Sequence, residues 1–538
     1  MAQSSAAKVA DFPDIKYHDL YVRRVLSIVA IIVTGFVSLW YLTTFVYRAP
    51  FPVEQLSQWT SSPSNELIRD VPVSFILHIP SESESLSRQL MASLQGYAFE
   101  TPRSQLSLNV KPVFYLHPMN SAELESIIAV NATSEVGSFP EFKDGVSDKN
   151  LEYHLVVIQK DTVEAKPTVH LDEHSTRPVF YIICPLSMAT EDIEKLLKNT
   201  VNKILIFFNK ESLEDMAVDY SPSYQLTFTV MYETPPSVIP HALGAGLPQL
   251  ISEQFSPFLT SLSPLSNFEV TSQAQFYSGL AFKPKKMAGY EGLPPWHAIE
   301  QRQLPHFINS AEWDLASAVS NSPDLNLIIY VPSPHLTPLH IVDTKGRQIK
   351  SNAFAIPQWG GVVIVNPSQG QISVQDIKEA LSVHLLHLQE LLGLVQAPFD
   401  PPQSGLRLSL DRLFLQKTTA LMLSATKTLS ALQALIITIT QMEVGDIIVA
   451  YTKASLNALS VASNALALGN LMDALQSSRL AFQNAESGFF HPTMVSQMYF
   501  PTDASYALFL PLLLPAILPL TLGFFKSKRR SMATKASN

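Results

Sequence analysis

Cysteine is nearly missing from this chain. Cys184 is the single thiol among 538 residues, which excludes a disulfide within the chain and the class of small secreted folds held by such staples. Charge is sparse as well. The 37 Lys and Arg against 46 Asp and Glu leave a formal net charge of -9. No concentrated block of charge occurs between the chain's ends, so nucleic acid is not expected as a partner. The usual spellings of catalysis are also absent: there is no G-x-S-x-G elbow, and Gly244-Ala245-Gly246 lacks the continuation of a phosphate-binding loop. No cofactor or metal is expected.

Two charge-free stretches are long and apolar enough to span a membrane. Tyr506 to Phe525 lies between Asp503 and Lys526, and roughly twenty helical residues cover the ~30 Å hydrocarbon core of a bilayer. Pro511, Pro515 and Pro519 fall near one face. A membrane helix tolerates them when neighbouring groups satisfy the freed carbonyls, which predicts a kinked span whose proline face packs on another helix. The other such stretch, first in the chain, is Val25 to Tyr47, bounded by Arg24 and Arg48. It exceeds the apolar core of a signal peptide, and no convincing cleavage site follows, so it reads as a retained anchor. Arg23 and Arg24 precede the first stretch, while Lys526, Lys528, Arg529 and Arg530 follow the second. Basic flanks mark the cytosolic side, so both termini are expected there. Thr428 to Met442 and Ala454 to Met472 are also free of charge. The first is too short and the second too rich in Ser and Asn to sit in lipid, so both read as helices of the soluble part.

Between the spans the texture changes once. Val71 to Ile79, Leu106 to Tyr115, Leu151 to Ile158, Val179 to Ile183, Tyr224 to Tyr232, Leu325 to Val331 and Gly361 to Val365 read as strands. Helices are expected over Ser81 to Leu94, Ser121 to Val130 and Thr190 to Phe208, and through Leu243 to Leu262. Phe282 to Pro305 has no clear period and reads as a connection. Ser373 to Asp376 spells a capping box before another helix that ends near Gly393. From Ser409 to about Ser487 nearly everything is helical in period, and Leu468 to Leu475 reads as part of a helical hairpin. The expected architecture is an α/β domain, a mixed sheet with helices, followed by long packed helices, with a transmembrane helix near each terminus. In residues, that is a cytosolic tail 1–24, span 25–47, linker 48–70, α/β domain 71–395, helical section 396–504, span 505–525 and basic cytosolic tail 526–538.

Few side chains invite a chemical reading. His170-Leu171-Asp172-Glu173-His174 matches the H-x-x-E-H spelling of inverted zinc peptidases. That chemistry needs one helical face, and Pro167 and Pro178 bracket a loop instead. His384 and His387 share a helix face without a third ligand and are expected at a helix surface or subunit contact. Cys184 ends a buried strand, with His154 on a neighbouring strand as the only imaginable base; an isolated cysteine beside Ile and Pro reads as a small core residue. Asn131-Ala132-Thr133 is the usable glycosylation sequon, because Pro367 blocks Asn366-Pro367-Ser368.

One stretch carries a resemblance. Asn352-Ala353-Phe354-Ala355-Ile356-Pro357-Gln358-Trp359-Gly360-Gly361 runs into the apolar Val362 to Asn366 and resembles the PIG-S family, a subunit of the glycosylphosphatidylinositol (GPI) transamidase. Thr43 to Ala49, Leu410-Asp411-Arg412-Leu413 and Tyr499-Phe500-Pro501 resemble further family positions in order. The resemblance implies a non-catalytic subunit in the endoplasmic reticulum membrane, with the bulk of the chain lumenal. It implies as partners the protease-like subunit PIG-K, which carries the attacking cysteine, together with PIG-T, PIG-U and a metallopeptidase-like subunit. Membrane lipid is a further expected contact, while GPI and the proprotein are reached indirectly. Asn352, Phe354, Pro357, Trp359, Gly360 and Gly361 are expected to shape a turn inside the fold or to touch a subunit, since two glycines suit close backbone approach.

Overall fold

The apolar run Val71–Pro80 forms strand β1, buried along nearly its whole length as a central parallel strand must be. The computed structural model describes residues 47–60, 70–80, 84–97, 99, 110–119, 151–160, 167–172, 178–209, 218–236, 246–288, 295–307, 322–367, 372–399, 405–439 and 443–495. It also describes scattered positions within 23–41 and 511–525. Asn131, the expected helix over Ser121 to Val130, and the Glu173-His174 half of the zinc-like spelling lie outside these.

After β1 come helix α1 (Glu84–Gln95) and strands β2 (Val110–Met119), β3 (Glu152–Lys160), β4 (Thr168–Asp172) and β5 (Val179–Pro185), then helix α2 (Thr190–Asn209). These strands form a five-stranded sheet in the order β2-β1-β3-β5-β4. All neighbours are parallel except β4, which runs antiparallel to β5 at the edge. The chain then repeats the plan. Strand β6 (Ser223–Tyr232), helix α3 (Gly246–Leu262), strands β7 (Asn267–Phe276), β8 (Lys285–Met287), β9 (Trp296–Glu300), β10 (Asp324–Val331), β11 (Leu339–Val342), β12 (Ala353–Ile356) and β13 (Gly360–Ile364), and helix α4 (Val374–Leu391) follow. The second five-stranded sheet has the order β12-β13-β10-β6-β7. Again four strands are parallel, and the antiparallel edge strand β12 immediately precedes its neighbour β13. Read from the other edge, β7-β6-β10-β13-β12 is the same winding as β2-β1-β3-β5-β4. In each half a helix links the first two strands and another follows the last, as crossover connections between parallel strands require.

The second half adds something the first lacks. Strands β8, β9 and β11 form a three-stranded sheet of order β11-β9-β8, and β8 and β9 lie within the stretch where the sequence showed no period. Three- and five-residue strands interrupted by Pro294 and Pro295 are too short to display alternation. Its core is shared with the second sheet: Ile299, Phe307, Leu339 and Ile341 cluster with Ile328 and Val362.

The remaining elements are helical: α5 (Leu406–Thr438), α6 (Asp446–Ala467), α7 (Leu471–Phe489) and the short α8 (Pro492–Val495). A further short helix, Val53–Thr60, occupies the stretch that reads as a linker. The chain is thus a mixed α/β protein with two such sheets followed by a helical C-terminal region. Gly469 closes the α6–α7 hairpin at φ +79, a left-handed conformation that favours glycine. Ser455 Oγ donates to Ala481 O at 2.7 Å across that hairpin.

One described helix, α5, is long and apolar enough to cross a membrane. Its side chains argue for a core helix instead. It carries Arg407, Asp411, Arg412, Lys417 and Lys427. Arg412 is fully buried and donates from Nε to the Phe207 carbonyl at 2.8 Å, near the end of α2, where unpaired carbonyls and the helix dipole favour a cation. Tyr153 of β3 donates to Asp411 Oδ2 at 3.0 Å. At the stretches expected to span, the described positions within 26–41 and 511–525 are helical and nearly all exposed. The structure divides into two compact units, one of residues 1–56, 428–453 and 484–538, the other of residues 57–427 and 454–483.

Candidate functional site

The Asn352 to Gly361 stretch folds as a tight antiparallel hairpin. Ala353 pairs with Val363 and Ile356 with Gly360, and the exposed Pro357 and Gln358 form the turn. Gln358 sits at φ +59, a conformation costly for a residue with a side chain. Pro357 supplies the fixed φ that turns favour at their first corner.

Each remaining residue of the stretch meets the fold. Gly360 has φ +153, and a Cβ there would land on the Asn326 backbone. Asn326 N–H donates to Trp359 O at 3.0 Å, so β10 runs against the hairpin where no side chain fits. At Gly361 a Cβ would collide with the His387 ring; this glycine lets α4 lie close on β13. Phe354 meets Phe307 edge-on with ring centroids 5.5 Å apart, and Trp359, half-buried, packs on the same cluster.

Asn352 does most of the joining. Its backbone is held at φ +46. Its Oδ1 accepts from Ile341 N–H at 2.9 Å, and its Nδ2 donates to Leu339 O at 3.0 Å and to Ile364 O at 2.9 Å. Asn366 repeats the device: Leu339 N–H donates to its Oδ1 and its Nδ2 to Leu339 O, both at 2.8 Å. Two amides therefore tie β11 of the small sheet to β13 of the large one, satisfying backbone groups that neither sheet pairs. Asn366 was legible as a failed sequon and as the end of the motif's apolar run, but not as a clamp, because that role depends on Leu339, a residue of another strand.

The histidine pair of α4 corrects an expectation. His384 and His387 are buried against the sheet rather than on a helix surface. His384 Nε2 lies 3.2 Å from Ile328 O, and the two rings meet edge-on at 5.6 Å. Burial, then the neighbouring His387, holds the His384 imidazole well below its ordinary range; burial pushes His387 down to about 4. Both are neutral packing groups at neutral pH.

The first sheet holds a different histidine group. His78 of β1 faces His117 of β2 directly in register, and His78 Nε2 lies 2.8 Å from His154 Nδ1 of β3. Burial, with His154 and His117 adding repulsion, pushes His78 down to about 3. His154 is thus engaged with β1 and not with Cys184. In register it stands opposite Val179, whereas Cys184 stands opposite Gln159, a separation along the strand of roughly 16 Å. Cys184 is buried and burial pushes its thiol up, the reverse of what a nucleophile needs. His170 lies on strand β4, so the zinc-like spelling has no helix to act from. Among the described residues, no cluster of His, Cys, Asp and Glu is arranged to hold a metal ion.

In open α/β sheets, ligands enter at the carboxyl ends of strands where the winding reverses, here beside β6 and β10. Among the described residues, the chain bonds to itself there. Glu233 N–H donates to Val331 O at 3.1 Å, and Glu233 Oε2 accepts from Ser333 N–H at 2.8 Å. A carboxylate so held is a brace for the chain.

Comparison with known proteins completes the picture. The family model described as PIG-S, Phosphatidylinositol-glycan biosynthesis class S protein, matches residues 26–534. A Rattus norvegicus protein named GPI-anchor transamidase component PIGS is 32% identical over 323 residues, 57% of each chain, so that alignment spans little more than half of the relative. A Bos taurus protein of the same name is 25% identical over 551 residues, 94% of each chain. The Saccharomyces cerevisiae protein GPI transamidase component GPI17 is 23% identical over 518 residues, 91% of this chain and 88% of the relative.

Proposed function

The chain belongs to the PIG-S family, and from that premise we propose that it is a non-catalytic, structural subunit of the GPI transamidase complex in the endoplasmic reticulum membrane. Residues 25–47 and 505–525 cross the bilayer, both termini face the cytosol, and the body between them lies in the lumen. Its partners there are the protease-like subunit PIG-K, which supplies the attacking cysteine, with PIG-T, PIG-U and the metallopeptidase-like subunit. The observation that carries this reading is the family match over residues 26–534, which takes in all but the first residue of the two proposed spans and everything between them.

The geometry supports a framework role. Cys184 is buried five register positions from His154, and Asn352, Gly360 and Gly361 meet other elements of the same fold. The exposed corner of Pro357 and Gln358 beside half-buried Trp359 is the part of the motif open to a neighbouring subunit, and Asn131 is the proposed glycan site.

Purification of the full chain in mild detergent tests the assignment: it should bring down the protease-like subunit, and recovery without that subunit would refute it. Cys184→Ala should leave GPI attachment to a reporter proprotein intact. Lost attachment in an assembled complex would mean that this chain reacts.

A further inference from the structure

Tyr47 and Arg48 end the first apolar stretch, and the structure ties that point to the turn between α5 and α6. Ala49 N–H donates to Val444 O at 2.9 Å, and Val444 N–H donates to Tyr47 O at 3.2 Å. Tyr47 O–H reaches Asp446 Oδ1 at 3.0 Å, and Arg48 Nη2 donates to the Ile436 carbonyl. Beneath these bonds Ala49, Leu432, Ile436, Val444, Ile448 and Val449 form a buried cluster, with Phe51 and Phe489 packed against it.

The rim of that cluster is apolar and bare. Ile437 is 61% exposed, Ile447 46% and Phe490 61%. Single exposed apolar residues need no explanation, but these three each adjoin in sequence a residue of the one small core, Ile436, Ile448 or Phe489, and water disfavours them together. Two features name its occupant. Ile436, Val444 and Asp446, beside the rim in sequence, are hydrogen-bonded to the residues where the first apolar stretch stops, and a span stops at the membrane interface. Phe489 ends α7 and Phe490 follows it, 16 residues before the second apolar stretch begins at Tyr506.

We propose that the end of α5 and the start of α6, the tip, rest on the lumenal face of the bilayer, with Ile437, Ile447 and Phe490 buried at the headgroup–acyl boundary. Arg48 is accompanied there by Glu443 and Asp446 and not by a basic cluster, so the place fits the apolar boundary of zwitterionic lipid and not an anionic headgroup. Tyr47 suits the same depth, since its ring favours the interface and its hydroxyl is already bonded to Asp446. The body is thereby held at a third point besides its two spans, and this inference rests on the two-span reading above.

Site-specific lipid quenching tests it. On a Cys184→Ala background of the full chain, Ile437→Cys, Ile447→Cys, Val461→Cys and Leu518→Cys each receive an environment-sensitive fluorophore. The protein is placed in phosphatidylcholine vesicles containing nitroxide-labelled lipid. Leu518 lies within the second proposed span, whereas Val461 is an exposed apolar residue of α6 away from the tip. The expected result is quenching at 437 and 447 roughly threefold or more above that at 461, as for interfacial burial, with strong quenching at 518. Quenching at 518 with none above the 461 level at 437 and 447 overturns the tip proposal and leaves the spans standing. The same result with fluorophores at 437 and 447 that become shielded on assembly of the complex would mean that a partner subunit covers the tip, which also overturns it. No quenching at 518 overturns the two-span reading and takes this proposal with it.

Discussion

Four parallel strands and one antiparallel edge strand, wound in the same order, make both large sheets, yet they are locked by opposite means. The second sheet brings its covering helix close by removing side chains: Gly361 admits the His387 ring, and Gly360 admits the backbone of β10. The first sheet begins its matching strand with Val179 and Phe180, both buried, and relies on bulk and buried charge. Phe180 packs edge-on against Phe399 at 5.0 Å, Tyr153 donates to Asp411, and Arg412 caps the end of α2. Burial pushes the Asp411 carboxyl up to about 7 against the pull of Arg407 and the Tyr153 hydroxyl, so this lock is held against a desolvation penalty. One winding therefore accepts a lock of absent atoms or one of buried polar groups; what differs is how each fails.

The largest effect should come from adding atoms to the second sheet. Gly360→Val forces a side chain into the Asn326 backbone at a glycine φ, and is expected to destabilise by about 4 kcal/mol or more. The readout is loss of folded protein by limited proteolysis and of co-purifying subunits. Val179→Ala, at the start of the matching strand in the first sheet, should cost roughly 1–3 kcal/mol; equal losses would erase the distinction. Next, Arg412→Ala leaves the Phe207 carbonyl without its charged donor and opens space in a buried layer. A loss of about 3 kcal/mol is expected by denaturant unfolding. A loss under about 0.5 kcal/mol would show the first sheet to be held by its aromatic packing alone.

Acid should weaken both sheets. His78 and His387 have folded values of about 3 and about 4, below the ordinary 6.5. The stability each contributes is complete above pH 6.5 and is lost as the pH falls through that window. The slope is roughly 1.4 kcal/mol per pH unit for each histidine. Asp411 works the other way. Its folded value is raised, so its contribution is full below the ordinary carboxylate range and fades as the pH rises towards 7. Asp411→Asn should therefore steepen the acid loss, measured as unfolding midpoints from pH 7 to 4, and an unchanged slope would contradict its assignment. The smallest effect concerns the hairpin corner. Gln358→Gly relieves a positive φ at an exposed site and should stabilise by about 0.5–1 kcal/mol in thermal unfolding.

Local pattern reached a definite distance. Ser373 caps α4 as the spelling implied, with Asp376 N–H donating to its Oγ at 3.1 Å, because a capping box is complete within four residues. Long apolar runs such as Ser223–Tyr232 became strands, and Thr190–Asn209 became a helix, because their period spans the whole element. The duplicated winding stayed hidden, since it lies in which strand neighbours which. The burial of His384 and His387 stayed hidden for the same reason: their spacing shows a shared face but not the glycine above it. The Asn352 clamp was visible as a motif and invisible as a clamp, because both of its carbonyl partners belong to other strands.

What the sequence determined by itself is the set of parts: two charge-free stretches, an α/β texture, a helical section, and a tryptophan–glycine hairpin of the PIG-S family. These follow from local period and composition, which act along the chain. Tertiary structure alone decided that the parts form two copies of one sheet, that a third sheet is tied on by Asn352 and Asn366, and that the lone thiol and the histidines stand apart. Those outcomes rest on contacts between residues distant in sequence, where packing and hydrogen-bond satisfaction choose the neighbour and no local pattern records the choice.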